Sequence, residues 1–181
     1  LSRRITCLRI PLAEGKRTWG ETTVIVEKDH VLAIVRNQGQ ALISVSKDWG
    51  RTWSVCNPSG LQTPSTKIYA GRLSTGQHYA IGTFVSDHSK NDRSPANRDP
   101  LTIAVSRPGE TQFQTVFKIR DDVFPEGPGE SVPKAALSYP YAVEHEGHLY
   151  VVYSNNGARG GNRNSAEMAV IPVSSLKIKN N

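Results

Sequence analysis

Long apolar runs are missing from this 181-residue chain. Nothing in it approaches the roughly 18 consecutive apolar residues that a membrane-spanning helix needs. The opening stretch "LSRRITCLRIPLAEG" lacks the apolar centre of a signal peptide, and export stays open because a leader can be removed. Cysteine is scarce: Cys7 and Cys56 allow one disulfide or two thiols, with neither CxxC nor zinc-type spacing. Two buried thiols is the preferred reading, since free cysteine behaves as a small core hydrophobe. The five histidines are scattered without ligand spacing, so no metal and no redox cofactor is expected. A helical stripe of ten or more residues is absent. So is any basic helix, or any Lys/Arg cluster interleaved with aromatics, and nucleic acid is therefore not the expected partner. The formal net charge of +6 still favours something anionic. Most basic residues are spread singly, but Arg93, Arg98, Arg159 and Arg163 fall in Gly/Asn/Ser-rich loops suited to gripping a small anion.

What is present is β-periodicity. A hydrophobic content of 37% with 21% charged residues reads as globular. The segments 22–28, 30–36, 41–46, 78–85, 101–106, 141–146, 148–154 and 167–173 are short, rich in Val, Ile and Tyr, and separated by turn residues. "KDH" at 28–30 and "EGH" at 146–148 read as hairpin turns, with Gly147 supplying a positive φ. A weak repeat runs through the chain: paired strands, a strand ending in Ser, then a polar turn ending in an aromatic, at 22–53 and again at 78–113. A third unit, 139–173, has the strands without the turn. Repeating sheet units of this size predict propeller blades, here about 18–60, 67–120 and 135–176.

The turn of the first unit is "SVSKDWGRTWS", in which Ser46, Asp48, Gly50, Thr52 and Trp53 form the pattern S-x-D-x-G-x-T-W. This pattern resembles the Asp-box of the bacterial neuraminidase (BNR) repeat, which lies in the hairpin between outer blade strands. Its chemistry is local: the carboxylate accepts backbone N–H groups, Gly50 permits a left-handed step, and Trp53 packs on the neighbouring hairpin. The box is thus a structural staple. Two longer stretches, "WGETTVIVEKDHVLAIVRNQGQALISVSKDWGRTW" and "NRDPLTIAVSRPGETQF" followed by "LSYPYAVEHEGHLYVVYS", extend the resemblance to the sialidase superfamily. It implies an all-β, six-bladed propeller, of which this chain supplies about three C-terminal blades. The remaining blades would come from upstream sequence. Three blades cannot close a ring, so apolar blade faces would be exposed at both ends.

On that resemblance Glu21 is the catalytic glutamate, Arg36 and Arg98 bind the substrate carboxylate, and Tyr139 rather than Tyr141 is the nucleophile. Arg72 and Arg163 are weaker pocket candidates. These residue types fit one chemistry. Sialic acid carries a carboxylate on its anomeric carbon, and a neutral phenol avoids the repulsion a carboxylate nucleophile would meet. The phenol needs a base, which Glu21 would supply. Planar arginine forks hold a carboxylate bidentately, as lysine does not. Each residue also has a plainer role open to it: Glu21 a solvated edge charge, Arg36 a strand end, Arg98 a loop cation, Tyr139 a packed aromatic.

The pattern has gaps. "LRIP" at 8–11 has the letters of the motif that bears the family's first arginine, but it precedes Glu21 by far too little, and Arg9 is set aside as coincidence. The general acid is not identified. The segment between Arg98 and Tyr139, including "DDVFPEGPGESVPK", reads as an insertion. The resemblance therefore implies an exo-α-sialidase acting by a retaining mechanism on an acidic sugar or glycoconjugate, secreted, periplasmic or at the cell surface. Two alternatives stay open: a propeller acting on uronate-containing polysaccharide as hydrolase or lyase, and a non-catalytic propeller that binds acidic glycans.

Overall fold

The computed structural model describes residues 9–12, 20–64, 66–84, 98–121, 136–155 and 165–178. These form eleven strands in three antiparallel meanders. The first sheet is β1 (Thr22–Val26), β2 (Val31–Val35), β3 (Gln38–Ser46) and β4 (Asn57–Pro64), in that order. The second is β5 (Tyr69–Arg72), β6 (His78–Gly82), β7 (Leu101–Ser106) and β8 (Phe113–Arg120). The third has β9 (Leu137–His145), β10 (His148–Asn155) and β11 (Ser165–Pro172), and a 3-10 turn over Val173–Leu176 follows. The all-β, propeller-type architecture expected from the sequence is what forms.

Three strands escaped the periodicity. β4 carries Pro58 and Gly60, residues that normally mark turns, and tolerates them because it lies at a sheet edge. β5 spans only four residues, and β8 turns Val116 outward and Thr115 inward, which blurs the alternation. The hairpin at Glu146–Gly147 forms with φ of 46° and 73°, so a glutamate as well as the glycine adopts the left-handed conformation that such a turn requires.

Packing follows from which faces are small. In the middle sheet, Ala70, Ala80 and Ala104 face Ile25, Leu32 and Ile34 of the first sheet. Ile81, Ile103 and Val105 face Leu137, Leu149 and Val151 of the third. β6 and β7 are buried along their whole length because both of their faces are covered. Covered on one face only, β9 and β10 alternate between buried and exposed positions. Their outer face, with β11, is apolar: Tyr141, Val152 and Met168 line up across the strands, and Val143 and Val170 flank Tyr150. At the other end Val24 and Val26 of β1 are exposed. Exposed apolar side chains thus lie on both outermost faces of the described sheets.

Polar groups also cross between sheets. Arg120 of β8 is paired with Glu167 of β11 at 3.1 Å, both side chains more than nine-tenths buried. Burial works against the Glu167 charge, but hydrogen bonds from Asn155 and Arg120 outweigh it and hold the carboxyl below its ordinary value. Cys56 is a buried free thiol, and burial pushes its pKa up; Cys7 lies outside the described residues.

Gly71 shows how close the inner strands approach. A Cβ at this position would meet the Tyr79 hydroxyl at 2.6 Å and ring carbons at 2.8 and 2.9 Å. Tyr79 is only 4% exposed and packed into the core, so its ring has no room to swing aside. Gly71→Ala is expected to lower stability by about 1–3 kcal/mol, seen as a lower urea midpoint with an unchanged m-value.

Candidate functional site

β1, β5 and β9 are neighbours and run in one direction. The Thr23 hydroxyl accepts from the Ala70 amide at 3.2 Å, and further along Glu27 meets His78 at 2.6 Å and Arg72 at 3.3 Å. The Tyr69 and Tyr141 rings lie 4.8 Å apart, and beyond them the Ser74 amide donates to Glu144 at 2.7 Å. Residue numbers therefore rise together along all three strands. Their starting ends share one end of the molecule, and β7, two strands over from β5 in its meander, starts there too.

Glu21, just before β1, and Arg36, just after β2, meet at this end. The Arg36 amide donates to the Glu21 carbonyl at 3.0 Å, extending the β1–β2 ladder by one pair, and its guanidinium donates to the Glu21 carboxylate. Arg36 is buried to 8% exposure, where an arginine charge requires a partner. Glu21 keeps about a third of its side chain (31%) in solvent. The two sequence candidates fifteen residues apart are thus an ion pair.

Tyr139 sits on β9 at a bulge. Tyr141 pairs with Val152 and Ser138 with Ser154, so Tyr139 and Pro140 together oppose Tyr153. The Tyr139 backbone has φ of +53°, a left-handed conformation rare for a bulky residue and rarer before a proline. Bulge and strain turn the ring out of the sheet, leaving the residue 47% exposed. Strain of this kind clusters at functional sites. The Arg98 guanidinium lies 5.7 Å from the centre of the Tyr139 ring, and the Arg98 carbonyl accepts from the Leu137 amide at 2.8 Å, tying the two segments together. Tyr141, the rejected alternative, packs on Tyr69 instead.

The candidates are thus gathered into two pairs, Glu21–Arg36 and Arg98–Tyr139, at one end of the sheets. Among the described residues no hydrogen bond links Glu21 to Tyr139. Arg72 is a correction. It is the last residue of β5 rather than its start, so it lies at the opposite end, half exposed and paired with Glu27. Arg163, with Arg93 and Arg159, lies outside the described residues.

Two residues were missed. Lys67, two positions before β5, places its Nζ 5.9 Å from the Tyr139 ring centre. Its position before β5 parallels that of Glu21 before β1, a parallel that the sequence did not show because β5 itself escaped the periodicity. Arg9 lines a cavity of about 550 Å³ with Ile10, Leu12, Gly20, Thr22 and Val35, beside the Glu21–Arg36 pair. Spacing along the chain had set Arg9 aside, and the fold brings it close.

The Asp-box occupies the other end, since Ser46 pairs with Val31 next to the 27–30 turn. Asp48 accepts the Thr52 amide at 2.8 Å, the Thr52 hydroxyl at 2.7 Å and the Ser46 hydroxyl at 2.9 Å. The Thr52 amide and then its hydroxyl hold the Asp48 carboxyl at about 2. Gly50 takes the left-handed step (φ 88°), its amide donating to Ser46 at 2.7 Å, and the Trp53 indole donates to the Gly50 carbonyl at 3.1 Å. Every polar partner is within the turn, as a staple requires.

Comparison with known proteins places this geometry in context. The BNR repeat-like domain family matches residues 11–151. Three solved structures share the fold: a protein of unknown function from Dyadobacter fermentans (19% identity over 83% of this chain, TM-score 0.58), Trypanosoma rangeli sialidase (15% over 86%, 0.57) and Penicillium chrysogenum α-L-arabinanase (16% over 85%, 0.59). The chain spans 37%, 23% and 47% of their respective lengths. No curated protein matches.

Proposed function

We propose that this chain, which belongs to the BNR repeat-like domain family, is part of a sialidase-like glycoside hydrolase that releases terminal sialic acid or a related acidic sugar. The observation that carries the reading is Tyr139: an exposed phenol on a bulge, in strained backbone, beside the Arg98 guanidinium, at the same end of the sheets as Glu21 and Arg36. The glycosidase-like propeller fold supports it. In this reading Arg98 and Arg36 hold the sugar carboxylate, and the Tyr139 oxygen attacks the anomeric carbon as the bond to the leaving oxygen breaks. Glu21 takes the phenolic proton, directly or through one water, its partial exposure leaving that path open. The leaving oxygen takes a proton from an acid that the described residues do not supply. Water then attacks the anomeric carbon and the tyrosyl–sugar bond breaks; Glu21 returns its proton to the phenolic oxygen, and the conjugate base of the acid takes the proton that water loses, so two displacements leave the configuration retained.

Six-blade closure belongs to the same proposal, with the exposed faces of β1 and of the third sheet as the surfaces that further blades cover. Export belongs to it too, because sialylated glycans lie outside the cell; among the described residues no helix is long and apolar enough to cross a membrane.

A second reading has its own observation. Glu21 is held by Arg36, and among the described residues no hydrogen bond joins it to Tyr139, an arrangement equally suited to a propeller that binds acidic glycans, uronates included, without cleaving them. Assay of the intact protein on a fluorogenic sialoside separates the two. Release of the fluorophore is the expected result. No release from a panel of sialosides, with binding of acidic sugars retained, would overturn the hydrolase reading in favour of the binding one.

A further inference from the structure

We propose that Lys67 is a substrate-binding residue that, together with Arg98, holds the acidic group of the ligand at Tyr139; the assignment rests on the acidic-sugar reading above. Lys67 comes from the connection between β4 and β5, and Arg98 from the segment leading into β7. Their cationic groups lie 5.9 and 5.7 Å from the centre of one exposed ring.

Charge and position at this end point to the pair. Arg36 is neutralised by Glu21 and Arg120 by Glu167, and Arg9 lines the cavity beside Glu21–Arg36, whereas Lys67 and Arg98 both lie within about 6 Å of the Tyr139 ring centre. Among the described residues neither Lys67 nor Arg98 has a carboxylate partner. Two cations beside one exposed ring, neither compensated by a carboxylate among the described residues, make the surroundings of that ring attractive to an anion.

The geometry therefore gives the two residues different tasks. The guanidinium of Arg98 offers a planar fork that fixes the orientation of a carboxylate, while the Lys67 ammonium adds a point charge that tolerates several orientations. Lys67 thereby selects acidic over neutral sugars at a site whose aromatic floor would otherwise accept both.

Calorimetric titration of the intact protein with N-acetylneuraminic acid, galacturonic acid and neutral galactose, at low and high salt, tests this. Lys67→Met is expected to weaken binding of the acids roughly tenfold or more, the loss of a charged contact, and to flatten the salt dependence. Its unfolding midpoint should match wild type, and Lys67→Arg should recover most of the affinity. Acid binding by Lys67→Met as tight as wild type, alongside weakened binding by Arg98→Ala, would overturn the assignment alone. Weakening that comes with a lowered unfolding midpoint and is not recovered by arginine would reveal a structural role and overturn it too. A wild-type protein that binds neither acid would overturn the acidic-sugar reading itself, and this assignment with it.

Discussion

Tyr139→Phe is expected to abolish turnover of a fluorogenic sialoside, by roughly 10⁴-fold or more, while leaving acidic-sugar affinity within about threefold of wild type, no more than the worth of one weak net hydrogen bond. The substitution removes one oxygen and little else. Phenylalanine keeps the ring near Arg98 and Lys67, and it meets the same backbone strain at φ +53°, so the bulge has no reason to rearrange. The ring is about half exposed, and stability should change by no more than about 0.5 kcal/mol. A covalent route through the phenol has no substitute once the oxygen is gone, because the two neighbouring groups are cations. Single-turnover kinetics beside equilibrium titration makes the measurement. Turnover that survives in Tyr139→Phe would rule out the tyrosine as nucleophile. Loss of binding in parallel with turnover would instead make the phenol a ligand contact.

How much of this was legible in the sequence depends on the range over which each contact acts. The Asp-box was legible because all its hydrogen bonds close within four residues of Asp48 or Ser46. Glu21 and Arg36 were nearly as accessible: they bracket a single hairpin, and strand pairing alone carries residue 21 opposite residue 36. Arg98 and Tyr139 belong to different sheets, so no local rule joins them, and only the family resemblance did so. Lys67 had neither aid. Its meaning comes from a contact with a residue 72 positions later, and a lone lysine before a four-residue strand carries no signal of its own. Arg72 was misplaced for a related reason. In so short a strand the sequence does not show which end is the start, and only the Glu27 contact reveals that Arg72 lies at the end away from Tyr139. The prolines and glycine of β4 hid a strand that edge position permits.

The buried pair between the second and third sheets should dominate stability. Arg120→Ala is expected to cost about 3–5 kcal/mol at pH 7, because it takes the guanidinium away from a buried carboxylate. Asn155 still donates to that carboxylate at 3.0 Å, and Tyr153 stands beside it, its hydroxyl pushed up to about 12 by burial and then by the Glu167 charge. The pH dependence has a definite sign. In wild type the folded carboxyl sits below its unfolded value of 4.5, so its contribution is complete above that value and is lost as pH falls through the lower folded one. Without Arg120 its hydrogen bond and its charge no longer hold the carboxyl down, so the folded value rises from that of wild type and the variant takes up its proton at a higher pH. Urea unfolding at pH 7 and pH 4 should therefore show the gap between wild type and Arg120→Ala narrowing in acid. Arg120→Met combined with Glu167→Leu should recover most of the loss, since two apolar side chains of similar volume leave no charge to solvate. A gap below about 1 kcal/mol at pH 7, or one that does not change with pH, would mean that water reaches Glu167 and that apolar contacts such as Ile103 against Val151, not this ion pair, hold the sheets together.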